Sequence, residues 1–205
     1  MSIVKLNNNG VKNATAIGSI SSLGTIILIK KLTASSSSTL SFVDGSSDVV
    51  LDSTYKEYFF TFNNIHCSGT GQFGFQGNAA GGADFNETMT TTNFRAIHAE
   101  ADNDAEVGYV AGEDQANGTG LTLIAQSIDT DNDASLSGYL HLFNPSSTTF
   151  VKNFFSTVSV MKNGNYAALT NASGYFNTTS AIDEIEFKFN SGNIDAGDIC
   201  LYGIN

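Results

Sequence analysis

The sequence predicts an all-β fold, an antiparallel β-sandwich or barrel. Apolar side chains recur with period 2 and almost nowhere with period 3.6. Turn signals rich in Gly, Asn and Asp interrupt the chain at near-regular spacing, and only one proline occurs in 205 residues. No stretch rich in Ala, Leu, Glu and Lys marks a helix, so the strand–helix alternation of an α/β protein is missing.

The extended segments follow in order. Thr25–Lys31 ("TIILIKK") is the strongest apolar run, and Thr39–Val43 is a short alternating one. In "EYFFTFNNI", Phe60 and Phe62 alternate with Thr61 and Asn63, while Phe59 covers the other face. Gln72–Gln76, Met89–His98, Glu106–Ala111 and Leu121–Ser127 come next. "SGYLHLFN" puts Leu140 and Leu142 on one face and Tyr139, His141 and Phe143 on the other. Phe154–Met161 and Tyr166–Ala172 flank "KNGN", whose Gly and Asn supply the positive φ of a tight hairpin. In "SAIDEIEFKF" the apolar positions are Ile182, Ile185, Phe187 and Phe189. Ile199–Ile204 ends the chain as a strand expected inside a sheet, with Ile26–Leu28 as its apolar partner. Between the first two runs, "TASSSST" (Thr33–Thr39) is expected to be a hairpin loop. The polar "NASGYFNTTSAID" is the one place for a short helical turn. Residues 1–20, polar with two apolar pairs, are expected to form an N-terminal arm ahead of a single domain over residues 21–205.

Composition narrows the function. Nine Lys and Arg stand against twenty Asp and Glu, a net charge of −11, so duplex nucleic acid and anionic membranes would be repelled. The 14% charged fraction is low, and Ser, Thr, Asn and Gly take its place on the surface. No apolar run approaches the ~18 residues that a membrane span needs, so no membrane insertion is expected. The start lacks the apolar core of a signal peptide, so synthesis in a cytoplasm is expected.

Few residues suggest chemistry. "DTDND" sets Asp129, Asp131 and Asp133 at alternate loop positions, where three carboxylates can turn inward on Ca²⁺. Against an EF-hand, Ala134 stands where Gly is needed and Leu140 where the bidentate Glu would be. A calcium loop and a solvated acidic turn are the two readings, and Asp102, Asp104 and Glu106 in "ADNDAE" pose the same choice. His66, His98 and His141 with Cys67 have zinc-ligand atoms without zinc spacing, so structural roles are expected. Cys67 and Cys200 either bridge or lie buried as free thiols. The tyrosines are sugar-stacking platforms or packing groups. The motifs G-x-S-x-G, Walker A, G-x-G-x-x-G and H-E-x-x-H are all absent, and the sequence nominates no carboxylate pair for glycan hydrolysis, so no enzyme activity is expected.

Taken together, "YKEYFFTFNNIH", "GYLHLFNPSSTTFVKNFFSTVS", "GYFNTTSAIDEIEFKFNSGNIDAGDICLYGI" and the opening "MSIVKLNNNGVKNATAI" resemble small virion proteins from tailed phages of marine bacteria. The resemblance covers most of the chain and is most specific at its end. Cys67 after His66 departs from a proline-containing loop in that family. The resemblance implies a jelly-roll or concanavalin-like sandwich and a homotrimer that decorates a particle or serves its tail fibre. It also implies a virion location, other virion proteins as partners, and contact with a host glycan or receptor. It transfers no catalytic residue. A glycan-binding lectin module, with calcium at Asp129–Asp133 and a tyrosine, is the rival reading; a glycan hydrolase is a third.

Overall fold

A computed structural model describes residues 26–204; the arm expected over residues 1–20 lies outside them. The described residues form twelve strands and no helix. These are β1 (Ile26–Thr33), β2 (Leu40–Val43), β3 (Glu57–Cys67), β4 (Phe73–Ala79), β5 (Met89–Ala99) and β6 (Ala105–Tyr109), followed by β7 (Thr122–Leu123), β8 (Leu136–Phe143), β9 (Lys152–Lys162), β10 (Tyr166–Phe176), β11 (Ile182–Phe189) and β12 (Ile194–Ile204). Each predicted extended segment overlaps one of them. One antiparallel sheet has the order β1-β12-β3-β8-β9-β10-β5-β6 and the other β2-β11-β4-β7. The two sheets share one apolar interior, as in a β-sandwich.

The period-2 pattern decides which side chains enter that interior. Tyr58, Phe60 and Phe62 of β3, Leu140 and Leu142 of β8, and Ile182, Ile185, Phe187 and Phe189 of β11 are all buried. Phe187 is the hub, with ring centroids of Phe60 and Phe62 at 5.2 Å and of Phe73 at 5.9 Å. Mostly edge-on packing suits the ring quadrupoles.

The last strand behaves as expected. β12 lies between β1 and β3, with Ile26 opposite Ile204 and Leu28 opposite Tyr202. A bulge opposite Asn64 bends the β12–β3 pair, and Gly197 sits there at φ +107. A Cβ on Gly197 would fall 2.5 Å from the Asn64 carbonyl oxygen, so the bulge requires glycine.

Three expectations need correction. "TASSSST" is not a hairpin loop, because β1 and β2 belong to different sheets and the segment crosses between them, tied to β12 by Ser37 N donating to Ile194 O (2.8 Å). The strand expected over Leu121–Ser127 keeps only Thr122 and Leu123, since the ladder partner β4 begins at Phe73 and Ile124 and Ala125 both donate to the Phe73 carbonyl beyond it. No helical turn interrupts "NASGYF": β10 continues to Phe176 because β5 and β9 flank it along its whole length.

Chain order alternates between the sheets in a regular way. β1 to β2, β3 to β4, β7 to β8 and β11 to β12 each cross from one sheet to the other. The pairs β5–β6 and β9–β10 extend only the larger sheet, and β9 and β10 still pack on the smaller one, where the Phe75 ring lies 4.9 Å from Phe154 and 6.2 Å from Phe176.

Candidate functional site

The three aspartates of the expected calcium loop have different environments. Asp129 is buried, and its Oδ2 accepts from the Gly164 amide (2.9 Å) and the Asn165 amide (3.4 Å), while Oδ1 accepts from the Thr130 amide (2.7 Å). Desolvation pushes this carboxyl up, but the amides of Thr130, Asn165, Gly164 and Asp131 outweigh it and hold it below the usual carboxylate range. Asp129 thereby pins the β9–β10 hairpin. Asp131 and Asp133 are exposed. Among the described residues no group of three or more His, Cys, Asp or Glu side chains is placed to hold a metal ion.

The fold does bring the two acidic loops together. The β9–β10 hairpin (Asn163–Asn165) touches both: Glu100 N donates to Asn165 O (3.0 Å) on one side, and Asn163 N donates to Ser127 O (2.9 Å) on the other. Glu100, Asp102, Asp104, Asp131 and Asp133 thus gather at one end of the sandwich. Asp133 also lines a depression of about 490 Å³ with His66 and Asp195, whose Nδ1 and Oδ2 lie 3.5 Å apart.

The zinc-type residues disperse. β3 and β5 are four strand spacings apart in the sheet, which places His66 and His98 on the order of 20 Å from each other. Cys67 and Cys200 are free and buried. Cys67 pairs with Ile194 and Cys200 with Thr61, so about 20 Å of strand separates them and no bridge can form.

Aromatic rings cover part of the outer face of the larger sheet. Tyr202, Phe59, His141 and Phe155 step across β12, β3, β8 and β9, with Phe59 and His141 centroids 4.4 Å apart and His141 stacked on Phe155 at 5.0 Å and 9°. Burial among these rings lowers the His141 pKa, and Glu57 opposes that only in part. Phe155, Leu169, Phe94, Tyr109 and Val107 are exposed; Val107 is 79% accessible. The sequence showed the aromatic side of β8 but not this extension, because strand order is not a local property.

A groove lies at the acidic end, where β9, β10 and β5 meet the hairpin. A depression of about 340 Å³ shares His98, Ser159 and Ala167 with one of about 250 Å³ on one side, and Glu100 and Tyr166 with one of about 440 Å³ on the other. Small side chains, Ala96 and Ala167, keep its floor low beside Leu169, while Ile97 packs inward against the core. Tyr166 is fixed from two sides: its hydroxyl donates to Asp104 Oδ2 (3.1 Å), and Lys162 Nζ stands 4.6 Å from its ring centroid. That hydrogen bond to a carboxylate pushes the Tyr166 phenol up. His98 Nε2 lies 3.2 Å from Asp102 Oδ1. Glu100, Ser159 and Ala167 carry no motif, so only the assembled sheet identifies them.

A third polar feature is more enclosed. Glu113 accepts from Gln126 Nε2 (2.7 Å) and Gln72 Nε2 (2.5 Å), and Arg95 donates to Gln126 Oε1 (2.6 Å). Burial pushes Glu113 up, moderated by Gln126, Arg95 and Gln72. This network ties the 110–121 segment to β4 and β5. No family model, curated protein or solved structure matches the chain.

Proposed function

We propose that this protein is a non-enzymatic structural subunit of a virion surface, mounted on a phage tail fibre or head and forming a homotrimer. The observation that carries the reading is the open outer face of the eight-stranded sheet, where Phe94, Tyr109, Phe155 and Leu169 remain exposed. A hydrophobic patch left uncovered on a soluble domain marks an interaction surface. The strand order supports the same reading. Taken without β5, β6, β9 and β10, the two layers are β1-β12-β3-β8 and β2-β11-β4-β7, a double four-stranded arrangement of the jelly-roll kind used by capsid and lectin domains. The resemblance of the chain's ending to phage virion proteins points the same way.

Mass spectrometry of purified particles of the encoding phage tests the reading, with light scattering on the isolated chain for the trimer. Peptides of this protein at structural abundance are expected. Their absence from the particle overturns the proposal. Glycan binding is the second reading, and the groove beside Tyr166 favours it.

A further inference from the structure

We infer that the groove formed by β9, β10, β5 and the 163–165 hairpin binds a segment of a neutral polysaccharide. The inference stands apart from the particle assignment, since the groove's chemistry is the same wherever the protein is displayed.

Four features point to a sugar chain. The first is size: the adjoining depressions, about 340 and 440 Å³ on either side of Tyr166 and Glu100, fall within the range of ligand sites. They are shallow and continuous, which suits an internal stretch of polymer better than a small enclosed ligand. The second is the pairing of surfaces. A pyranose presents a C–H face and a rim of hydroxyls; here Ala96, Ala167 and Leu169 supply carbon. Exposed Glu100, Asn103, Asn165 and Ser159 supply the donors and acceptors around it. Carboxylates and amides bind vicinal hydroxyls well because one group can engage two of them.

The third feature is rigidity. Tyr166 is held by Asp104 and Lys162 before any ligand arrives, so little side-chain entropy is lost on binding. The fourth is charge. Glu100, Asp102 and Asp104 surround the groove, Lys162 is engaged with Tyr166, and His98 stands against Asp102. Uronate, sulfate or phosphate groups would meet this carboxylate rim without a free cation to pair with among the described residues that line the groove, so the ligand is uncharged. Asp129, which braces the hairpin from behind, contributes by positioning Gly164 and Asn165.

The test uses the full purified chain on an array of neutral oligosaccharides, with alginate and sulfated glycans as anionic controls, followed by calorimetric titration of the best neutral hit. Binding to at least one neutral glycan is expected, with Tyr166→Ala and Glu100→Ala each weakening it tenfold or more. Phe143→Ser should leave it within twofold, because Phe143 packs on His141 (5.9 Å) and Phe155 (5.7 Å) in the aromatic row, away from the groove. Glu100 is exposed, so its variant keeps the fold and decides the matter if Tyr166→Ala does not fold. No neutral glycan bound, preference for the anionic controls, or titrations unchanged in Glu100→Ala would each overturn the inference. Particle proteomics is a separate measurement, so failure of either idea is distinguishable from failure of the other.

Discussion

Replacing Phe187 by Ala measures whether one aromatic hub joins the two sheets. Phe187 is fully buried on β11 of the smaller sheet. Its ring contacts Phe60 and Phe62 of the larger sheet and Phe42, Phe73 and Phe75 of its own. Truncating a buried Phe costs about 3–5 kcal/mol through lost transfer energy and the cavity left behind. Aromatic pairs add roughly 0.5–1.5 kcal/mol beyond area, and the rings around Phe187 cannot all close on the void, so we expect the upper end, about 5 kcal/mol. For a domain of this size each 1 kcal/mol moves Tm by about 2–4 °C, giving a fall of about 10–20 °C. Phe59→Ala is the control: Phe59 sits half-buried on the outer face among Tyr139, His141 and Tyr202, and about 1–2 kcal/mol is expected. Urea titration followed by far-ultraviolet circular dichroism and tyrosine fluorescence suits a chain without tryptophan. A loss under about 2 kcal/mol for Phe187→Ala, or equal losses for both variants, would refute the assignment of the interior.

Asp129→Ala should lower Tm well beyond Asp131→Ala or Asp133→Ala, because only Asp129 accepts from the hairpin amides; equal effects of all three, with a calcium-dependent melt, would instead favour a shared cation site. His141 has a folded-state pKa below its ordinary 6.5, so between the two values the unfolded chain binds the extra proton. Its contribution is complete above pH 6.5 and declines as pH falls through that window toward the folded value. Tm should therefore drop less steeply with acid in His141→Phe than in the parent, and parallel pH profiles would contradict this.

Much of the layering is written in short stretches of sequence. The side chains of β3, β8 and β11 enter or leave the interior as alternation requires, and "KNGN" turns with positive φ at Gly164 and Asn165. Both properties depend on neighbouring residues alone: the pleat has period 2, and only a few residue types accept a left-handed turn. The candidate groove is less legible. Tyr166 could be noticed as a tyrosine, but Glu100, Ser159 and Ala167 become a surface only when β9, β10 and β5 lie side by side. Asp129 shows the opposite failure, since a carboxylate that looks available for a cation is occupied by backbone amides from residues thirty-five and thirty-six positions later.

The amino-acid sequence by itself determined that the described residues are built of strands, where most of those strands run, which faces are apolar, and that the protein is acidic. Tertiary structure alone decided that β11 and β12, separated by four residues, enter different sheets, that β5, β6, β9 and β10 widen one layer, and that two acidic loops meet beside Tyr166. Alternation specifies the orientation of each side chain relative to its own strand. The choice of partner strand is made by burial summed over both layers, and no local window contains that sum.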